Sequence, residues 1–268
     1  AVDQRHFLRK VNKEWRMLRV NLPETIWVRC FEDRTELLRA AILGAAGTPY
    51  HDGLFLFDIC LPGTYPNEPP EAYYHSGGLR VNPNLYENGK VCLSLLNTWQ
   101  GKDTEVWNPH ASSLLQVLVS IQGLVLVPKP YYNEAGYSRQ MGSAEGEHNA
   151  RLYNESAFLL SCKTMLNLMR NPPAAFAPLI RAHFRQRRTH ILQCCDAYMA
   201  GAGVGTLPAF EAQKCHVADS VTEDGSPGSE TSLPEARSEQ TQSCSSGFKL
   251  MLAKVRPQLV KTFESLGP

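Results

Sequence analysis

Asn82-Pro83-Asn84-Leu85-Tyr86-Glu87-Asn88-Gly89-Lys90-Val91-Cys92-Leu93-Ser94-Leu95-Leu96-Asn97-Thr98-Trp99 decides how this chain is read. Asn-Pro-Asn makes one turn and Asn88-Gly89 a second, since proline fixes φ and glycine supplies a positive φ. An apolar run follows. A turn-rich loop of this kind is expected to present its one thiol, Cys92, to solvent, which suits a cysteine that does chemistry.

Upstream, Asp3 can cap a helix to about Arg19, with Leu8, Val11, Trp15 and Leu18 as its apolar stripe. Arg5, Arg9, Lys13 and Arg16 share another face, which reads first as a solvated surface and second as a docking surface for an acidic partner. Strand-like runs cover residues 26–31, 37–43 and 54–61, with a fourth at 72–75. Short strands with no helix between them predict an antiparallel meander and an α+β fold rather than βαβ units. Four prolines between Pro62 and Pro70 exclude a central strand there and make a rigid connection.

Downstream, residues 100–105 are polar. Ser112 or Ser113 can cap a mostly apolar core helix through about Leu126, stopped by Pro128 and Pro130. Two more helices are predicted over residues 144–170 and 174–199. The second carries a basic cluster, Arg181, Arg185, Arg187 and Arg188, without the interleaved aromatics of a nucleic-acid platform. The domain reading is therefore a catalytic core over 1–137, a helical extension over 138–200, a disordered linker over 201–247 and a short amphipathic segment over 248–268. In that last segment Pro257 argues against a continuous helix.

The chain has 268 residues, 43% hydrophobic and 20% charged, enough for one large core. Its net charge of +1 gives no bulk attraction to nucleic acid or membrane. No stretch approaches the ~20 apolar residues that span a bilayer, and no signal-peptide pattern opens the chain. The chain opens on Ala1 rather than Met, as a piece of a longer protein would. The eight cysteines are scattered, with no CxxC pair to suggest a metal site, and are expected to be buried structural thiols apart from Cys92. A cytoplasmic, nuclear or peripheral endomembrane location is expected rather than secretion.

From about Phe7 to Tyr137 the sequence resembles the ubiquitin-conjugating (E2) family. The resemblance rests on the basic first helix, the meander, Tyr65-Pro66…Pro69-Pro70, the Asn-Pro-Asn tripeptide eight residues before the cysteine, Gly89–Leu93, Trp99 and the apolar helix that follows. The apparent insertion over residues 100–107, the segment from Ser112 to Gly136 and the added helices look like the large hybrid E2/E3 class (BRUCE-like). The segment Gly247–Lys254 looks closest to the plant members involved in phosphate homeostasis.

The resemblance implies an E2 (UBC) fold in which Cys92 takes ubiquitin from E1 as a thioester and passes it to a substrate lysine. Asn84 is implied as an oxyanion donor or as a brace of its own turn. Leu93, Ser94, Tyr131, Tyr132 and Asn133 form the implied active-site loop. Arg5, Arg9, Lys13, Arg16, Asn67 and Pro109 are the implied E1 and E3 docking residues. The implied partners are ubiquitin, E1 and protein substrates, phosphate-transport proteins among them, with a separate E3 dispensable and nucleic acid absent. No cofactor or metal is implied, ATP being consumed upstream by E1.

The chain departs from the family pattern at four places. Asn82 replaces a histidine, which is expected to cost loop packing rather than chemistry. Ser94 replaces an aspartate. Tyr132 and Asn133 lie where an acidic residue is common, so Tyr131, Tyr132, Asn133 or Glu134 would have to substitute for it. Asn67 replaces a phenylalanine that anchors E3 ligases. His51, His75 and His110 read as surface or satisfied histidines, not as a general base. Two other classes compete with the enzyme: an inert E2-like module that binds ubiquitin, and a cysteine protease, which would need a positioned histidine that no signature near Cys92 supplies.

Overall fold

The computed structural model describes residues 4–102, 105–211 and 243–267. Helix α1 (Gln4–Asn21) leads into strands β1 (Ile26–Phe31), β2 (Arg34–Leu43), β3 (Leu54–Cys60) and β4 (Glu71–Tyr74). They form one antiparallel sheet in the order β1-β2-β3-β4. Helices α2 (Leu114–Ser120), α3 (Ala144–Arg170), α4 (Ala177–Ala200) and α5 (Ser246–Glu264) follow. The predicted α+β meander is what forms. Strand β2 begins at Arg34 rather than 37, because pairing with β1 across a tight turn recruits polar residues that carry no apolar signal.

Side chains alternate across a strand, and here both faces are covered. Ile42, Phe55, Phe57 and Tyr74 point to a core shared with Val11 and Leu18 of α1 and Leu114, Val117 and Leu118 of α2. Ala41, Leu43, Leu54 and Leu56 point the other way, into a second core built with α3, α4 and α5. The near-continuous apolar run of β3 records this double burial.

Helix α1 departs from its predicted stripe at two positions. Leu8 is left exposed, whereas Glu14 is buried. Glu14 accepts hydrogen bonds from the Tyr65 hydroxyl at 2.8 Å and from the Leu114 backbone N–H at 3.0 Å, so one carboxylate joins α1, the proline-rich loop and the start of α2. Helix α2 is capped by Ser113 as expected, but from Ile121 to Val125 it widens into π-type turns. There the Gln122 side chain donates to the Leu43 carbonyl at 2.9 Å.

The extension is clasped to the sheet by Asp52, which sits at φ 62° in the β2–β3 loop. Its carboxylate is paired with Arg187 and accepts from His51 Nδ1 at 2.8 Å and His190 Nδ1 at 3.0 Å. His51 Nε2 lies 2.9 Å from the Tyr198 hydroxyl. His51, Asp52 and Cys194 are close enough together to be metal-competent, but these hydrogen bonds already engage the carboxylate and both nitrogens of His51.

Two readings of the C-terminal part are corrected. Residues 201–211, read as part of a disordered linker, are ordered by this clasp: the Gly205 N–H donates to the Tyr198 hydroxyl at 3.0 Å, and Phe210 lies under the Arg187 guanidinium. Residues 212–242 lie outside the described residues. Helix α5 runs unbroken through Pro257. Its face of Phe248, Leu252, Val255, Leu259 and Phe263 is buried, and that burial outweighs the roughly 3 kcal/mol an internal proline costs. Ser245 caps α5, and Glu155 of α3 in turn accepts from the Ser245 N–H at 2.8 Å.

Candidate active site

The Cys92 loop is tied along the free side of β4. The Tyr74 N–H donates to the Gly89 carbonyl at 2.8 Å. Gly89 has φ +89°, and a Cβ there would come within 2.0 Å of the Tyr73 ring, so the Asn88-Gly89 turn needs its glycine. Asn88 Oδ1 accepts the Lys90 N–H at 3.1 Å and completes that turn.

Asn84 and Cys92 face one another across this loop. The Cys92 N–H donates to the Asn84 carbonyl, and Asn84 Nδ2 donates to the Cys92 carbonyl, both at 2.9 Å. Asn84 Oδ1 is buried without a partner. Asn82 is fully buried, with Nδ2 donating to Tyr50 Oη at 2.9 Å and to the Val125 carbonyl at 2.7 Å, while its Oδ1 accepts the Asn84 N–H at 2.8 Å. The expected loss of packing at Asn82 is therefore absent: a short amide fills the site and joins the loop to Tyr50 and to the end of the α2 segment.

Past the cysteine, Leu93 is buried and Ser94 begins a short 3-10 turn through Leu96. The Thr98 hydroxyl donates to the Val91 carbonyl at 2.6 Å and accepts the Leu93 N–H at 3.0 Å, tying the chain on either side of Cys92. Trp107 rather than Trp99 carries the packing here. Trp107 is buried and donates through Nε1 to the Pro66 carbonyl at 2.7 Å, whereas Trp99 is half-buried. Trp107 thereby holds the loop of Asn67, which is exposed, against the turn that carries Pro109. Arg9, Lys13 and Arg16 are exposed on α1, as is Arg5.

Cys92 itself is 2% exposed, contrary to the open thiol expected. Beside it, burial and then the charge of the neighbouring Cys92 push the Tyr86 phenol up from its ordinary range. The Arg80 guanidinium stacks over the Tyr86 ring, 4.4 Å from the centroid, and pairs with Glu134 at 3.3 Å. The candidates for the missing acidic residue are thus separated. Tyr131 donates to Gln140 at 2.7 Å, Tyr132 to Glu147 at 3.1 Å and Asn133 to the Leu124 carbonyl at 3.2 Å, all bracing the scaffold. Glu134 is the one that pairs with Arg80, against the Tyr86 ring. Tyr86 and Arg80 were missed in the sequence. Tyr86 lies inside the quoted stretch, but nothing local marks Arg80, which arrives by tertiary folding.

An α+β core with a turn-bound cysteine facing an Asn-Pro-Asn tripeptide defines a ubiquitin-conjugating domain, and the ubiquitin-conjugating enzyme family matches residues 10–159 of this chain. The chain belongs to that family. It is 55% identical over 264 residues to the probable ubiquitin-conjugating enzyme E2 23 of Arabidopsis thaliana, covering 98% of this chain and 22% of that protein. It is 51% identical to the probable E2 24 of the same plant, over 97% of this chain and 26% of that protein. The human dual E2 ubiquitin-conjugating enzyme/E3 ubiquitin-protein ligase BIRC6 is 42% identical over 72% of this chain and 4% of its own length. The chain thus spans about a quarter or less of these relatives. Among the described residues no helix is long and apolar enough to cross a membrane.

Proposed function

We propose that this chain accepts the C-terminus of ubiquitin from E1 as a thioester on Cys92 and transfers it to the amine of a substrate lysine. The observation that carries this reading is the Cys92 loop, in which Asn84 holds the Cys92 backbone through both its N–H and its carbonyl. A thiolate is both nucleophile and leaving group, so it can take an acyl group from another thioester and give it up to an amine without a paired histidine. Of the three histidines weighed above, His51 is engaged in the Asp52 clasp and His75 lies 2.9 Å from Asp58. No cofactor enters this chemistry, since the ATP is spent at E1.

Identity with a dual E2/E3 enzyme and the exposed Asn67 support a hybrid E2/E3 that dispenses with a separate ligase. The resemblance over residues 247–254 makes phosphate-transport proteins the first substrates to test. The deciding experiment incubates the chain with E1, ubiquitin and ATP and resolves it on a non-reducing gel. A ubiquitin adduct removed by reductant is expected, absent in Cys92→Ala and replaced by a reductant-resistant ester in Cys92→Ser. A folded chain that takes up no ubiquitin would overturn the proposal and favour the inert binding module.

A further inference from the structure

Tyr50, His51 and Asp52 are consecutive, and they bind two different parts of the molecule. Tyr50 is fully buried in the first core. Its hydroxyl donates to the Val81 carbonyl at 3.0 Å and accepts from Asn82 Nδ2 at 2.9 Å, so it holds the entry to the Asn-Pro-Asn turn. From there Asn82 Oδ1 accepts the Asn84 N–H, and Asn84 holds the Cys92 backbone by two bonds. His51 and Asp52 turn to the helical extension. The His51 ring stacks on Phe158 of α3 with centroids 5.2 Å apart, and its Nε2 lies 2.9 Å from the Tyr198 hydroxyl of α4. The Asp52 carbonyl lies 2.8 Å from His183 Nε2, and its carboxylate is paired with Arg187.

The loop between these two sets of contacts is stiff. The Thr48 hydroxyl donates to the Ala45 carbonyl at 2.7 Å and accepts the Tyr50 N–H at 3.1 Å. The Tyr50 carbonyl accepts the Gly53 N–H at 3.0 Å. A Cβ on Gly44 would come within 1.9 Å of that same carbonyl oxygen, so the chain leaving β2 is pressed against it. A close-packed stretch has little void to take up slack, so a shift at one end moves what the other end holds. The geometry points to Tyr50 as a positioning residue for the Cys92 loop, set in place by the helical extension through His51 and Asp52. Tyr50 and Tyr198 then act on transfer through the orientation of Asn84 and the Cys92 backbone. A misplacement of about 1 Å there can cost on the order of 10²-fold in rate.

This inference rests on the thioester reading above. The test uses the full chain charged by E1, which is then stopped by chelating magnesium. Loss of the thioester is followed in single turnover against graded free lysine. Tyr50→Phe removes one hydroxyl and should lower the maximal discharge rate about tenfold, with the half-saturating lysine unchanged. Tyr198→Phe should lower the maximal rate about three- to tenfold in the same way. The double variant should be no slower than Tyr50→Phe, because the same path is cut only once. Leu252→Ala, which loosens α5 outside this path, should discharge at the parent rate. Hydrogen exchange reads the positioning without the chemistry: the Asn84 and Cys92 amides should exchange faster in Tyr198→Phe, while β2 and β3 keep their protection.

A parent rate in Tyr198→Phe, losses that multiply in the double variant, a change confined to the half-saturating lysine, or equal slowing by Leu252→Ala would each overturn the proposal. So would unchanged exchange at Asn84 and Cys92 in Tyr198→Phe. If Tyr50→Phe does not fold, the rate and the exchange of Tyr198→Phe decide the matter. A parent chain that never charges removes the thioester reading and leaves the exchange result to decide the positioning. One that charges, but whose discharge ignores Tyr198, overturns only the positioning.

Discussion

Asn84 has one amide N–H committed to the Cys92 carbonyl, so its structural work is visible before any substrate arrives. Loss of that bond in Asn84→Ala should cost about 1 kcal/mol, a Tm shift of roughly 2–4 °C for a domain of this size. Lysine discharge should fall by less than the ~10²-fold that marks a lost oxyanion donor. Single-turnover discharge beside thermal melting checks both; a drop of that size or more with an unchanged Tm would assign Asn84 to the oxyanion. Asn82 is the heavier residue for stability. Replacing it by alanine leaves the buried Asn84 N–H without its partner and takes from the Val125 carbonyl the nearer of its two side-chain donors, Asn133 keeping the other, so Asn82→Ala should destabilise the fold by about 2–3 kcal/mol in urea unfolding. The tripeptide was legible as a turn because its residues are turn formers. Its hydrogen-bond partners, Tyr50 and Val125, lie 32 and 43 residues away and could not be read locally.

At the scale of elements, helix α5 is held by its buried stripe and by Glu155 at its capped start. Leu252 is fully buried, and Leu252→Ala should cost about 2–5 kcal/mol, confined first to this helix. Hydrogen exchange should then accelerate across α5 while β2 and β3 keep their protection; equal acceleration everywhere would show that α5 folds as one unit with the sheet. Proline's missing N–H argued against this helix in the sequence, and packing reversed the outcome. The strands were legible from their apolar runs, but the start of β2 was not, because Arg34 and Glu36 are recruited by pairing rather than by burial.

Across the whole molecule, the sheet and its helical extension meet at a buried charged clasp, and this makes the joint sensitive to acid. Burial, with the Arg187 charge adding to it, lowers His183 to about 4, so the ring is neutral in the fold. Its Nε2 lies 2.8 Å from the Asp52 carbonyl. A histidine whose folded pKa lies below its unfolded value of about 6.5 contributes stability above that value and loses it as pH falls. The loss should amount to about 3 kcal/mol between pH ~6.5 and ~4. Asp52, held well below the usual carboxylate range by His51 and Arg187 against the opposing cost of burial, loses its contribution further down, below pH ~4. Urea unfolding against pH should show this slope, and His183→Gln should flatten it between pH 6.5 and 4. An unchanged slope in that variant would place the acid sensitivity elsewhere.

The sequence by itself determined the meander, the turn-bound Cys92 and the family, because apolar periodicity, turn residues and the spacing from Asn84 to Cys92 are local. Tertiary structure decided what surrounds that cysteine. Its thiol is buried, Arg80 and Glu134 converge on the Tyr86 ring from positions 54 residues apart, and the second face of the sheet is buried under α3, α4 and α5. These features depend on which side chains meet across the fold, and that is set by packing free energy summed over the whole molecule rather than by any short stretch of chain.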